Sequence, residues 1–177
     1  VERAVRDTGE IVEAGAQQVD VVLPWRALQA GDAAASTTLL RAVRRACDGH
    51  VLKVILETGE LREPALITRA ARLALAEGAD FLKTSTGKTP VSATPAAAQL
   101  LLEAIAADPA GQARVGFKAA GGIRSVADAA VYLDLVETVL GAGALGPARL
   151  RIGASALLAD IERVLGGAAA GPAGQGY

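Results

Sequence analysis

Short apolar runs alternate with longer segments that carry helix start and stop signals. This alternation constrains the fold more than any other feature of the chain. QVDVVLP at 18–24, VLKVILE at 51–57, DFLKTS at 80–85, RVGFKA at 114–119 and LRIG at 150–153 read as strands. Helical spacing marks 1–14 ahead of the first strand, then 36–47, 63–76, 94–107, 125–140 and 156–165. Ser36 or Thr37, Thr94 and Ser125 serve as N-caps, Pro64 and Pro95 sit in first turns, and Gly49 and Gly78 close helices. Strands that alternate with helices in this way build an α/β fold with a parallel sheet. Strands with so few polar residues fit burial on both faces. Open doubly wound sheets and closed barrels both produce the pattern, and both place chemistry at the C-terminal ends of strands.

The 177 residues are 51% hydrophobic with a net charge of -1, which is one globular domain or a piece of a larger one. That charge leaves no electrostatic footprint for nucleic acid. No apolar run is long enough to span a membrane, for which about 18 residues are needed. Cys47 is alone, so no internal disulfide framework exists and a reduced, cytoplasmic compartment is expected. His50 reads as a loop residue, and no His, Cys and carboxylate cluster suggests a metal.

Of the 18 basic residues only four are lysine: Lys53, Lys83, Lys88 and Lys118. Lys53, Lys83 and Lys118 sit inside apolar strand runs, where an unpaired ammonium costs several kcal/mol or loses its proton. Arginine cannot replace lysine where chemistry needs an amine that deprotonates. Side chains two apart share a strand face, so Phe81 goes with Lys83, Gly116 with Lys118 and Asp20 with Val22. If these faces line a barrel, Asp20, Lys83 and Lys118 converge, with Asp20 deepest. Two ammoniums in a low-dielectric cavity depress at least one pKa and yield a neutral amine nucleophile. A structural Asp–Lys pair is the plainer alternative, but two lysines against one aspartate leave a surplus charge. Lys53 is expected to pair with Asp20 and hold it ionised. The apolar neighbours Phe81 and Leu82 favour Lys83 as the nucleophile.

AAGGIRS at 119–125 and GAS at 153–155 are strand-to-helix turns whose N–H groups can cradle an anion. The barrel phosphate site commonly lies in such loops after the last two strands. STGK at 85–88 resembles the end of a nucleotide P-loop, but Leu82 stands where the upstream glycine belongs, so that reading is rejected.

In chain order, VDVVLPWRALQAGD, LKVILETGEL, DFLKTSTGK, VGFKAAGGIR and RIGASALL closely resemble the deoxyribose-phosphate aldolase family over nearly the whole chain. The resemblance implies a TIM (β/α)8 barrel and a class I, Schiff-base aldolase without metal or cofactor, serving deoxyribonucleotide catabolism. The implied reaction reversibly cleaves 2-deoxy-D-ribose 5-phosphate to acetaldehyde and D-glyceraldehyde 3-phosphate. Lys83 matches the Schiff-base lysine, Lys118 the second catalytic lysine and Asp20 the proton-exchanging aspartate. Gly121, Gly122 and the turn Gly153, Ala154 and Ser155 match the phosphate-binding backbone, with Thr86, Gly87 and Lys88 nearby. Tyr177 matches a C-terminal tyrosine that reaches the site as a proton relay. Ala119 stands where many members have proline, and Ala156 where many have a second serine. The present strands would be the fourth to eighth of the barrel, with the first three missing. The expected layout is a single barrel domain over 1–165 and a flexible tail over 166–177. Small-molecule phosphosugar and aldehyde substrates are the expected partners, and a homodimer is an assembly open to such a chain. Two alternatives stay open: a phosphosugar isomerase or synthase barrel without covalent catalysis, and an inactive truncated fragment.

Overall fold

A computed structural model of the chain describes residues 1–167. In chain order the helices and strands are α1 (Glu2–Glu13), β1 (Gln18–Val22), α2 (Trp25–Gln29), α3 (Ala33–Ala46), β2 (Val51–Ile55), α4 (Thr58–Leu61), α5 (Pro64–Ala76), β3 (Phe81–Lys83), α6 (Pro95–Ala107), β4 (Gly116–Ala120), α7 (Val126–Leu140), β5 (Leu150–Gly153) and α8 (Leu157–Leu165). The five strands form one sheet in the order β1-β2-β3-β4-β5, and every pair is parallel. The expected α/β fold with a parallel sheet is present.

The two faces of the sheet divide the labour. Leu52, Val54, Leu82 and Phe117 are fully buried on the face that carries the helices. They pack in one core with Leu40 and Val43 of α3, Ala70, Ala71 and Ala74 of α5, and Leu101, Leu102 and Ile105 of α6. Each large aliphatic side chain buried there contributes about 1.5–3 kcal/mol. The alanines let helix backbones approach the sheet closely. The opposite face carries the polar groups in layers. Asp20 is in register with Lys53, Lys53 with Phe81 and Phe81 with Gly116. One layer on, Val22, Ile55, Lys83, Lys118 and Arg151 are successive partners.

The sheet curls around this polar face. Arg151 Nη1 donates to Gln18 Oε1 over 3.3 Å, so side chains of the two outer strands meet across the concavity. The Arg151 guanidinium also lies 5.2 Å from the centre of the Phe81 ring. Phe81 in turn covers Gly116.

Helix starts follow the caps, with one displacement. Thr94 accepts from the Ala97 N–H at 3.2 Å, and Ser125 and Asp128 form a capping box. The helix expected from Ser36 instead begins at Ala33, because Asp32 Oδ1 takes the Ala35 N–H at 3.0 Å one turn earlier. The short helices α2 and α4 went unread, since five and four residues carry no helical period. Regular pairing of β3 ends at Lys83 rather than Ser85. His50 lies in a turn, with Nδ1 3.0 Å from the Asp48 carbonyl oxygen. Among the described residues no helix is long and apolar enough to cross a membrane. The Tyr177 expectation, and most of the tail assigned to 166–177, lie outside the described residues.

Gly116 tests the concave packing. A Cβ there would sit 2.3 Å from a Phe81 ring carbon. Gly116→Ala should lower unfolding free energy by about 1–3 kcal/mol. Urea denaturation of Gly116→Ala, Phe81→Leu and the double variant should show positive coupling, because the smaller side chain relieves the overlap. Additive losses would mean that the ring does not press on this position.

Candidate active site

The first three site residues are joined through one carboxylate. Asp20 Oδ1 accepts from Lys53 Nζ at 2.8 Å. Asp20 Oδ2 accepts from Lys83 Nζ at 2.8 Å and from Lys118 Nζ at 3.4 Å. The strand register makes this possible: Lys53 is beside Asp20, while Lys83 and Lys118 are beside each other one layer above. Asp20 therefore lies one layer nearer the N-terminal ends of the strands, yet its side chain, 30% exposed, is more open to solvent than those of Lys83 and Lys118. Exposure rises from 6% for the Lys53 side chain to 12% for Lys83 and 20% for Lys118. Lys53 closes the floor, and the other two amines face the opening.

The charges act on one another. Burial alone would raise the Asp20 pKa, but hydrogen bonds from Lys53 and Lys83 and the charges of Lys83 and Lys118 outweigh it and hold the carboxyl at about 2. Lys118 is lowered, first by burial, then by the charges of Lys83 and Lys53, against the opposing pull of Asp20. The expectation that Lys83 is the depressed amine rests on its apolar neighbours. Lys83 makes the closer contact with Asp20, at 2.8 Å against 3.4 Å for Lys118.

A cavity of about 490 Å³ opens beside Lys83 and Lys118. Thr86, Gly87, Gly121, Gly122, Gly153, Ala154 and Ser155 line it, as the sequence suggested. Ala120, Ile123, Arg124 and Ala156 line it as well; they were not singled out as site residues, although the first three lie in the AAGGIRS turn and Ala156 was noted as a departure from a family serine. Arg124 was legible as a cation just after the glycine pair. Lys88 is exposed and does not line the cavity; its N–H bonds to Thr86 Oγ1 at 3.2 Å. Gly121 is required by close approach, since a Cβ would lie 2.5 Å from Ser92 Cβ and 3.1 Å from Gly87 Cα. Its φ of +85° also favours glycine.

The N–H donors around the cavity are not equivalent. The Gly121 N–H goes to the Gly153 carbonyl at 3.2 Å, and the Thr86 N–H goes to Glu57 at 3.1 Å. Arg124 and Ser125 donate to Asp128, each at 2.9 Å, and Val126 donates to Asp160 at 2.8 Å. The N–H groups of Gly122, Ile123, Ala154 and Ser155 have no partner among the described residues. An anion in this cavity finds its backbone donors there, on two facing strand-to-helix turns. Among the described residues no group of three or more His, Cys, Asp or Glu side chains is placed to hold a metal ion.

The depressed Asp20 pKa makes folding pH-dependent. A carboxyl held below its unfolded value stabilises the fold fully above that value, near pH 4. That contribution is lost as pH falls toward about 2. Solvent reaches 30% of the side chain, and after screening the loss is about 1 kcal/mol. Acid titration of stability should show this drop in the wild type and a smaller one in Asp20→Asn. Equal acid slopes in the two proteins would remove the lysine cluster as its cause.

Comparison with known proteins agrees with the geometry. Residues 2–163 match the model of the DeoC/LacD family aldolases. A deoxyribose-phosphate aldolase from Agrobacterium fabrum is 48% identical over 154 residues, which are 86% of this chain and 58% of that protein. The chain thus spans less than two thirds of that relative's length. A crystal structure of a candidate deoxyribose-phosphate aldolase from Toxoplasma gondii superposes with a TM-score of 0.84 at 25% identity, covering 95% of this chain and 66% of that one. The deoxyribose phosphate aldolase of Aeropyrum pernix, described as a tetramer, gives a TM-score of 0.67 at 27% identity, over 93% of this chain and 62% of that one. On its sequence and its fold, the chain belongs to the DeoC/LacD family of aldolases.

Proposed function

We propose that the chain carries the catalytic face of a deoxyribose-phosphate aldolase, which reversibly cleaves 2-deoxy-D-ribose 5-phosphate to acetaldehyde and D-glyceraldehyde 3-phosphate. The observation that carries this reading is the pair Lys83 and Lys118, side by side over Asp20, at the mouth of a cavity with unpartnered N–H donors. In the forward direction Lys83 in its neutral form adds to the aldehyde carbon of the open sugar. The carbinolamine loses water to give an iminium. The sugar C3 hydroxyl gives up its proton, the C2–C3 bond breaks, and its electron pair moves to C2 to form an enamine. D-glyceraldehyde 3-phosphate leaves. Protonation at C2 and addition of water then free acetaldehyde and the amine. Asp20, ionised near neutrality, and Lys118 move these protons, and Lys53 holds the carboxylate in place. The sugar phosphate is bound by the Gly122–Ile123 and Ala154–Ser155 turns with Arg124. Gly87, Gly121 and Gly153 shape the wall, and Lys88 belongs to this site as an outer contributor.

The depressed Lys118 amine favours a second reading, in which Lys118 attacks and Lys83 shuttles protons. Borohydride reduction in the presence of acetaldehyde separates the two. The expected product is one ethylated peptide containing Lys83. A label on Lys118 alone would exchange the roles, and no covalent adduct would favour an isomerase or synthase chemistry that uses only the phosphate turns.

The five strands are further proposed to be the fourth to eighth of an eight-stranded barrel. The sequential parallel order, the inward curl and the cover of 66% of a longer structural relative support this. Three more strands would pair the open edges of β1 and β5. Cytoplasmic location and a homodimer complete the reading; the apolar stripe Leu158, Ile161 and Leu165 on α8 favours association. The chain alone should therefore self-associate and turn over weakly. A monomer with full aldolase turnover would overturn the barrel assignment.

Lys53→Arg should retain measurable activity, since its charge toward Asp20 is kept, whereas Lys53→Met should lose most of it. Complete loss in a folded Lys53→Arg protein would make Lys53 part of the chemistry.

A further inference from the structure

The turn after β2 holds a carboxylate that the chemistry above does not use. Glu57 is 3% exposed. Its backbone is left-handed, at φ 55° and ψ 57°, a conformation that is strained for residues other than glycine. A carboxylate so buried needs hydrogen bonds in place of water. All of those seen come from one segment, the loop after β3. The Thr86 N–H lies 3.1 Å from Oε1 and 3.4 Å from Oε2. Thr86 Oγ1 donates to Oε2 at 2.7 Å, and Thr89 Oγ1 to Oε1 at 3.3 Å. Two residues after Glu57, Gly59 presses on the same loop, where an added Cβ would lie 2.0 Å from the Val91 carbonyl oxygen. The segment is thus clamped at both Thr86 and Val91. Between the clamps it presents Thr86 and Gly87 to the cavity and sets Gly87 against Gly121.

We propose that Glu57 is a positioning residue for the anion-binding end of the cavity. It takes both donors of Thr86 and fixes the Thr86–Gly87 backbone as that end's wall. The inference rests on the phosphosugar reading given above. Glu57 has no hydrogen bond to Lys83, Lys118 or Asp20, so its loss acts on anion binding and leaves the amines alone.

The test compares the full wild-type chain with Glu57→Gln and Glu57→Ala. Each is measured for thermal stability, inorganic phosphate affinity and the rate of acetaldehyde trapping by borohydride. Glu57→Ala should weaken phosphate binding about tenfold or more, as expected when a binding wall shifts by a fraction of an ångström. Glu57→Gln keeps an acceptor for the Thr86 N–H and should recover part of that affinity, with trapping at the wild-type rate in both. Unchanged phosphate affinity in the variants would overturn the proposal. So would phosphate binding and trapping that fall together with thermal stability, the mark of a merely structural residue. If Glu57→Ala does not fold, Glu57→Gln decides by the same criteria. Wild-type protein that fails to bind phosphate would remove the phosphosugar reading and this inference with it. Wild-type binding beside an unmoved variant removes the inference alone.

Discussion

One carboxylate shared by three ammonium groups organises the concave face. Asp20 bonds to Lys53 and Lys83 at 2.8 Å and approaches Lys118 at 3.4 Å. Four strands contribute these side chains, so their register must be right for the cluster to form at all. A one-residue slip in any strand would turn its charged side chain toward the helices, where there is no water and no partner. One aspartate faces three lysine amines, an excess of positive charge that an anion in the adjoining cavity would offset. The lowered Lys118 pKa and the adjoining cavity are two outlets for the same excess.

The two ends of the strands serve different ends. At the N-terminal side, Asp80 accepts from Arg44 at 2.8 Å, from Arg114 at 2.7 Å and from the Leu52 N–H at 2.9 Å. These tie helix, strand and turn together. At the C-terminal side, the loops are held just as firmly but around a void. Asp128 and Asp160 satisfy the first N–H groups of α7, and Glu57 satisfies Thr86. What remains available to an anion is set by this subtraction, and Gly122, Ile123, Ala154 and Ser155 are left on facing turns.

Much of this was legible in the chain. Apolar runs separated by capped helices specify parallel strands, because each strand needs a crossover and each helix an amphipathic face. Lysines in apolar runs, in a chain whose cations are mostly arginines, pointed to amine chemistry. Counting residues two at a time fixed faces within each strand, and the convergence of Asp20, Lys83 and Lys118 followed from assuming that those faces line a barrel. Single-turn helices were not legible, since α2 and α4 are shorter than any period they could display. Nor was the start of α3, where two plausible caps compete and the earlier one wins.

Sequence alone determined the five strand segments, though not their ends, and which side chains within each strand share a face, because these follow from local periodicity and covalent structure. Only the tertiary structure decided which N–H groups stay open, which lysine approaches Asp20 most closely, and that a buried Glu57 grips the loop of Thr86. Those outcomes depend on distances between segments far apart in the chain, set by sheet curl and by competition among donors for the same acceptor. Neither quantity is carried by local residue order.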